Sequence, residues 1–111
     1  MKKLLLILFF LPMIGLTQIN DYALYIPSTF TPNGDQLNDT FLPKGVGIKN
    51  YTIEVYSRRG DLLFTSKDIE IGWGGLKENG QKMPTGTYVY YIETKNIYYD
   101  IFKYADMITL R

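Results

Sequence analysis

Short runs of alternating apolar and polar residues constrain the fold of this chain more than any other feature. In Asn50 to Ser57, the side chains of Tyr51, Ile53 and Val55 fall on one side and polar side chains mostly on the other. Thr87 to Thr94 repeats this alternation. A period of two residues is that of a half-buried strand, and no helical period follows the first twenty residues. The chain is therefore predicted to be built from strands.

Turn signals divide the rest of the chain into pieces of strand length. Tyr22 to Phe30 is predicted to be a strand that becomes irregular at Pro27, Leu62 to Thr65 a returning strand, Ile97 to Tyr104 extended, and Ala105 to Leu110 the last strand. Turns are predicted in between, at Thr31–Asp39, Lys44–Gly47, Arg58–Asp61, Asn79–Gly80, Pro84–Gly86 and Lys95–Asn96. About six to eight short strands predict an all-β fold, an immunoglobulin-like antiparallel β-sandwich, with a barrel as the alternative.

Composition limits the function more than it limits the fold. The chain has 111 residues, which suffices for one core, and 15% of its residues are aromatic. It contains no cysteine and no histidine, so disulfides, thiolate metal sites and imidazole chemistry are all excluded. The formal net charge is only +1, and no stripe of basic residues indicates nucleic-acid binding. The serine hydroxyls have no histidine to activate them as nucleophiles, which argues against a hydrolase. We therefore expect no enzyme activity.

The first segment is predicted to be a cleavable signal peptide spanning residues 1–17. Lys2 and Lys3 precede an apolar run from Leu4 to Leu11, and small residues before Gln18 fit a cleavage site. The run is too short for a membrane-spanning helix, since about twenty apolar residues are needed. Residues 18–111 are then a single domain without a transmembrane span, exported through the inner membrane.

One loop is rich in oxygen-bearing side chains. Asn33, Asp35, Asn38 and Asp39 lie within seven residues, and Ca²⁺ prefers oxygen ligands of these kinds. Asn and Asp also bond the backbone of their own turns, which explains the composition without any metal. The turn is the favoured interpretation and calcium is the alternative, with Asp35 and Asp39 as its main ligands.

Four segments, in chain order, resemble the gliding-motility-associated C-terminal domain, a type B sorting domain of the type IX secretion system. They begin at Phe30, Ile53, Trp73 and Ile108, and the third continues through Asn79-Gly80 to Pro84-Thr85-Gly86-Thr87-Tyr88. The positions that carry the resemblance are Phe30, Thr31, Pro32, Asn33, Gly34, Asp35, Asn38, Asp39, Arg58, Gly60, Trp73, Gly75, Gly86 and Tyr88. The chain departs from the family pattern at Gln36, where glycine is usual, at Arg59, where tryptophan is expected, and at Gly74, where aspartate is expected.

The resemblance implies an immunoglobulin-like sandwich that the type IX machinery reads as an export signal. The implied partners are the translocon or an outer-membrane adaptor, and the implied destination is the cell surface or the medium. Family members carry the domain behind a cargo, whereas the predicted signal peptide here leads straight into it.

A second hypothesis is a small secreted module for adhesion or carbohydrate binding, with surface proteins or glycans as partners. The tyrosine-rich stretch from Tyr88 to Tyr104 could present aromatic rings, although alternation predicts that half of them are buried. Trp73 could be a sugar platform, but a tryptophan among glycines beside a turn is more typical of the core.

Overall fold

The structure is a computed structural model, and it describes residues 21–111. Over this range it is all-β, with seven strands and no helix. The strands are β1 (Ala23–Tyr25), β2 (Thr29–Phe30), β3 (Lys44–Val46), β4 (Asn50–Tyr56), β5 (Leu62–Ser66), β6 (Gly86–Lys95) and β7 (Ile101–Leu110). The predicted signal peptide lies outside the described residues. In residues 21–111 no helix is long and apolar enough to cross a membrane.

The strands form two sheets in a sandwich-like arrangement, as the sequence predicted. The larger sheet has the order β2-β7-β6-β4-β5, and the smaller one pairs β1 with β3. Every pairing is antiparallel except that of β2 with β7, which is parallel. The fold is therefore an antiparallel sandwich with one short parallel edge.

The core lies against one face of the larger sheet. Alternation in β4 buries Tyr51, Ile53 and Val55 and leaves Thr52 and Glu54 exposed, as predicted. The same pattern in β6 buries every second residue from Tyr88 to Thr94. Loop residues and the small sheet cover this face and complete a core of twelve apolar side chains, namely Phe30, Phe41, Tyr51, Ile53, Val55, Leu63, Trp73, Tyr88, Tyr90, Ile92, Ile108 and Leu110.

The hairpin between β4 and β5 turns at the predicted place. The N–H of Ser57 donates to the carbonyl of Asp61, and the N–H of Gly60 donates to the carbonyl of Ser57. Gly60 has a φ of +97°, a left-handed conformation that glycine adopts without steric cost.

The structure corrects two local predictions and completes a third. Lys44 to Val46 is strand β3 rather than a turn, because it pairs with β1. The predicted strand from Tyr22 to Phe30 is split at Pro27 between the two sheets. The segment from Ile97 to Asp100 is a turn rather than extended chain, because the Asn96 carboxamide accepts hydrogen bonds from two of its backbone N–H groups.

Candidate functional site

Strand register brings most of the predicted site residues to one end of the larger sheet. Gly86 pairs with Leu110 across β6 and β7, and Phe30 of β2 pairs with the same Leu110. Tyr56, where β4 ends, pairs with Val89 near the start of β6, so the β4–β5 turn lies at this end too. We call it the motif end. It gathers segments that the sequence separates by up to about eighty residues.

An aromatic cluster forms the interior of the motif end. The ring centroids of Phe30 and Trp73 lie 5.4 Å apart, and those of Trp73 and Tyr88 lie 5.1 Å apart. The indole N–H of Trp73 donates to the Leu76 carbonyl at 2.8 Å. With 1% exposure Trp73 is a core residue, so it offers no platform for a sugar. The Tyr88 hydroxyl donates to the Pro84 carbonyl, and burial raises the pKa of Tyr88.

Phe41 belongs to this cluster although it lies outside the predicted set of site residues. It is fully buried and exchanges two backbone hydrogen bonds with Trp73, at 2.7 and 3.1 Å. Its ring also packs 5.2 Å from that of Tyr90. The sequence feature that could have identified Phe41 is its position as the apolar residue at which the polar loop, Thr31 to Thr40, ends.

Gly75 allows the loops to approach the last strand closely. It is buried with a φ of +80°, and a Cβ atom there would lie 2.8 Å from Cδ1 of Leu110. Any side chain would therefore strain the backbone and press against the Leu110 side chain, which would have to shift. This gives the family-like glycine at position 75 a packing role.

The loop between Phe30 and Phe41 is organised around one carboxylate. Oδ1 of Asp39 accepts the backbone N–H groups of Asn33 and Gly34, each at 3.1 Å, and Oδ2 accepts that of Gln36 at 2.7 Å. A backbone bond from the Thr31 N–H to the Asn38 carbonyl, at 2.7 Å, closes the loop.

The other oxygen-bearing side chains of the loop also bond its backbone. The Asn33 carboxamide oxygen accepts the N–H of Asp35, and the Asp35 carboxylate accepts the N–H of Leu37. Three N–H dipoles already direct their positive ends at Asp39, so a cation there would compete with them. Within residues 21–111 no group of three or more acidic residues could hold a metal ion.

Two non-glycine residues of the loop have left-handed backbone. Gln36 has a φ of +65° and Asn38 a φ of +53°. Asparagine adopts this left-handed region readily for a residue with a side chain, whereas for glutamine the conformation is unfavourable. The family-like glycine at position 36 would fit this backbone without strain, so the departure from the family pattern has a conformational cost.

The exposed residues of the motif end include this loop and the hairpin turn between β4 and β5. Asn33 to Asn38 are exposed, and so are Arg58 and Arg59. The predicted site residues thus divide into two groups. Phe30, Trp73, Gly75 and Tyr88 build the core, while the loop side chains and Arg58 face solvent.

A comparison with family models gives a match that covers most of the chain. A family model described as the CHU_C type IX secretion signal domain matches residues 24–105, from β1 into β7. The chain belongs to this family. A search of curated proteins found no match.

Membership makes the protein a type IX secretion signal domain, which is a sorting domain that the secretion machinery recognises. The matched range includes the polar loop, the β4–β5 turn, Trp73 and the start of β6. The domain is therefore a signal for export to the cell surface or the extracellular space.

Proposed function

We propose that the secretion machinery reads the exposed surface of the motif end, meaning the loop from Asn33 to Asn38 and the Arg58 side chain. The observation that carries the proposal is the convergence of the motif segments on this one end. Core packing accounts for Phe30, Trp73, Gly75 and Tyr88, and loop hydrogen bonds account for Asn33, Asp35 and Asp39. Neither accounts for the exposed side chains of Leu37 and Arg58. Exposed side chains on a rigidly bonded loop are typical of a recognition surface.

The Asp39 carboxylate supports this role by holding the loop in one conformation. A loop that is already ordered loses less entropy when a partner binds it. The translocon or an outer-membrane adaptor would then meet a preformed surface of backbone carbonyls, amide side chains and a guanidinium group. We place these contacts in recognition rather than catalysis, because the chain has no histidine or cysteine to act as base or nucleophile.

A reporter-export experiment tests the proposal. The domain is fused behind a reporter in a bacterium that carries the type IX machinery, and the reporter is measured in the medium and in the periplasm. A variant combining Leu37→Ser and Arg58→Ala should leave the reporter in the periplasm, since both side chains are exposed and neither is among those that bond the loop backbone.

The matched control changes the opposite end of the sheet, where Lys49, Tyr98 and Tyr99 are also exposed. Lys49→Gln, Tyr98→Ser and Tyr99→Ser together should leave export unchanged. Thermal unfolding of both variants checks that each is folded. Normal export of the motif-end variant, or equal loss in both, would refute the assignment.

A second candidate function, adhesion or carbohydrate binding, rests on the turn between β6 and β7. Tyr98 and Tyr99 are 49% and 62% exposed there, and the Lys49 ammonium lies 5.3 Å from the Tyr99 ring centroid. Exposed rings of this kind can stack on sugars or partner side chains. Glycan binding that the Tyr98→Ser, Tyr99→Ser variant loses would support this function, and a glycan array without hits would count against it.

A further inference from the structure

Strand β7 has one side that is largely unpaired in the described part of the chain. Its other side pairs with β6 along its whole length, from Ile101 to Leu110. On the unpaired side, β2 contacts only Thr109 and Leu110. No strand among residues 21–111 continues along positions 101–108.

Hydrogen bonds at the end of β7 show which backbone groups point to this edge. The N–H of Thr109 donates to the Ser28 carbonyl at 2.9 Å, and that of Arg111 donates to the Phe30 carbonyl at 3.0 Å. Successive residues of a strand direct their backbone groups to opposite sides, so the odd-numbered residues of β7 point outward. The N–H of Met107 is bonded to the carboxylate of its own neighbour, Asp106. Lys103 and Ala105 also point outward, and within residues 21–111 neither forms a backbone hydrogen bond beyond the β6–β7 pairing.

The gap follows from the path of the preceding chain. Pro27 has no N–H, so it cannot extend β2 as a paired strand. The residues before it belong to β1, which pairs with β3 in the other sheet. An exposed strand edge with open donors and acceptors is a template for another extended chain.

We propose that a second copy of this chain pairs with this edge, β7 against β7 and antiparallel, with Tyr104 opposite Tyr104. A twofold axis perpendicular to the sheet would relate the two copies, so the core-facing sides of both sheets would point in the same direction. Residues that lie opposite each other across the pair would then belong to the same face. The segment from Ile101 to Met107 is centred on Tyr104, and this register pairs the same residues of both copies. The Met107 N–H then exchanges its Asp106 acceptor for the Ile101 carbonyl of the second copy. Lys103 then exchanges backbone hydrogen bonds with Ala105 of the second copy.

Side chains are compatible with this register. Ile101 and Met107 are 54% and 57% exposed in the monomer and lie opposite each other in the pair. The two Lys103 side chains become diagonal neighbours, but Glu93 lies 3.9 Å from the Lys103 ammonium and offsets its charge. The result is one continuous sheet of ten strands, five from each copy.

The opposite edge of the sheet, β5, is a poorer template. It is five residues long, and its register with β4 shifts between Val55 and Tyr56. A bulge at this place bends the strand and interrupts a regular ladder.

Sedimentation velocity on the protein in its exported form tests the proposal. We expect a mass that rises from one copy towards two between about 10 μM and about 1 mM, as for a weak association. Ala105→Pro should stay monomeric yet folded, because the N–H that it removes points outward and is unused in the monomer. Ala105→Ser keeps that N–H and should associate like the wild type.

Amide hydrogen exchange gives a second measurement that does not depend on the proline variant folding. The N–H groups of Lys103 and Ala105 should exchange rapidly in dilute solution and more than tenfold slower in concentrated solution. A monomer at every concentration would overturn the proposal and leave the edge to a strand of another protein. Equal association of the Ala105→Pro and Ala105→Ser variants would overturn it as well.

Discussion

At the scale of single residues, Asp39 and Trp73 have roles that their neighbours in sequence do not suggest. Asp39 accepts three backbone N–H bonds and so determines the shape of the loop before it. Trp73 joins Phe30, Phe41 and Tyr88 into one cluster although it lies in a segment without a named strand. Both are anchor points for the motif end, and neither offers its functional group to solvent in the way that Arg58 does.

Gln36 is a position where the chain can be stabilised by a single substitution. Its left-handed backbone costs about 1–2 kcal/mol for a residue with a Cβ atom, and glycine would remove this cost. Glycine also gives the unfolded chain more freedom, which offsets about 0.5–1 kcal/mol of the gain in stability. Gln36→Gly should therefore raise the free energy of unfolding by about 0.5–1 kcal/mol, which thermal denaturation measures as a few degrees.

Asn38→Gly is the control for this prediction. Its φ is similar, but asparagine tolerates the left-handed region, so the gain should be smaller. A decrease in the melting temperature of Gln36→Gly would show that the glutamine side chain makes a stabilising contact.

At the scale of elements, the long strands were predictable and the short ones were not. Alternation identified β4 and β6 because one face of each is buried. Strand β3 has no buried residue, and it is a strand only because β1 lies beside it. Local sequence does not contain that long-range pairing.

The same distinction explains the turn between β6 and β7 and the site itself. Ile97 and Tyr98 have strand-forming side chains, yet the buried Asn96 bonds the backbone around them into a turn. The motif residues could be named from sequence, because their order resembles a family. Their convergence could not, because it depends on the register of β6 against β4 and β7.

The Asn33–Asp39 loop should hold its conformation without a bound cation. Asp39→Ala leaves three N–H groups without their acceptor and should lower the free energy of unfolding by about 1–2 kcal/mol, since the site is only partly buried. Asp35→Ala removes the acceptor of one N–H and should cost less. Thermal unfolding measures both.

Unfolding of the wild type in calcium and in a chelator should give the same midpoint. A cation at a hundred times its dissociation constant would instead add about 2.7 kcal/mol of stability. A higher midpoint in calcium that Asp39→Ala abolishes would show that the loop is a calcium site.

At the scale of the whole molecule, aromatic packing contributes much of the core. The chain has no cysteine, so no disulfide adds to the stability of the fold. Tyr51, Tyr88 and Tyr90 are nearly fully buried in the core. Tyr22 stacks on Phe102 at 4.1 Å, and its hydroxyl bonds that of Tyr104 and that of Thr94, which ties the chain before β1 to the larger sheet. The core thus contains phenol groups, and ionising one of them in the folded protein would place a charge in an apolar environment.

This composition makes the protein sensitive to alkaline pH. Burial raises the pKa of Tyr51 well above its usual value of 10, and burial, together with the hydrogen bond to Tyr22, raises that of Tyr104 to about 12. Burial and the nearby Asp106 carboxylate raise the pKa of Tyr90 as well. Below pH 10 the tyrosines are neutral in both states, so stability is complete. Above pH 10 the unfolded chain loses these protons first, so stability falls as the pH rises towards the folded-state values.

Thermal midpoints measured from about pH 8 to about pH 12 should therefore be level up to about pH 10 and then decline. Tyr51→Phe keeps the ring in the core and removes one ionisable hydroxyl, so its decline should be shallower than that of the wild type. Because lysines also lose their charge in this range, the difference between the two proteins is the measurement that isolates the buried phenol. Parallel declines in the two proteins would mean that Tyr51 ionises equally easily in the folded and unfolded states, and that its hydroxyl reaches solvent.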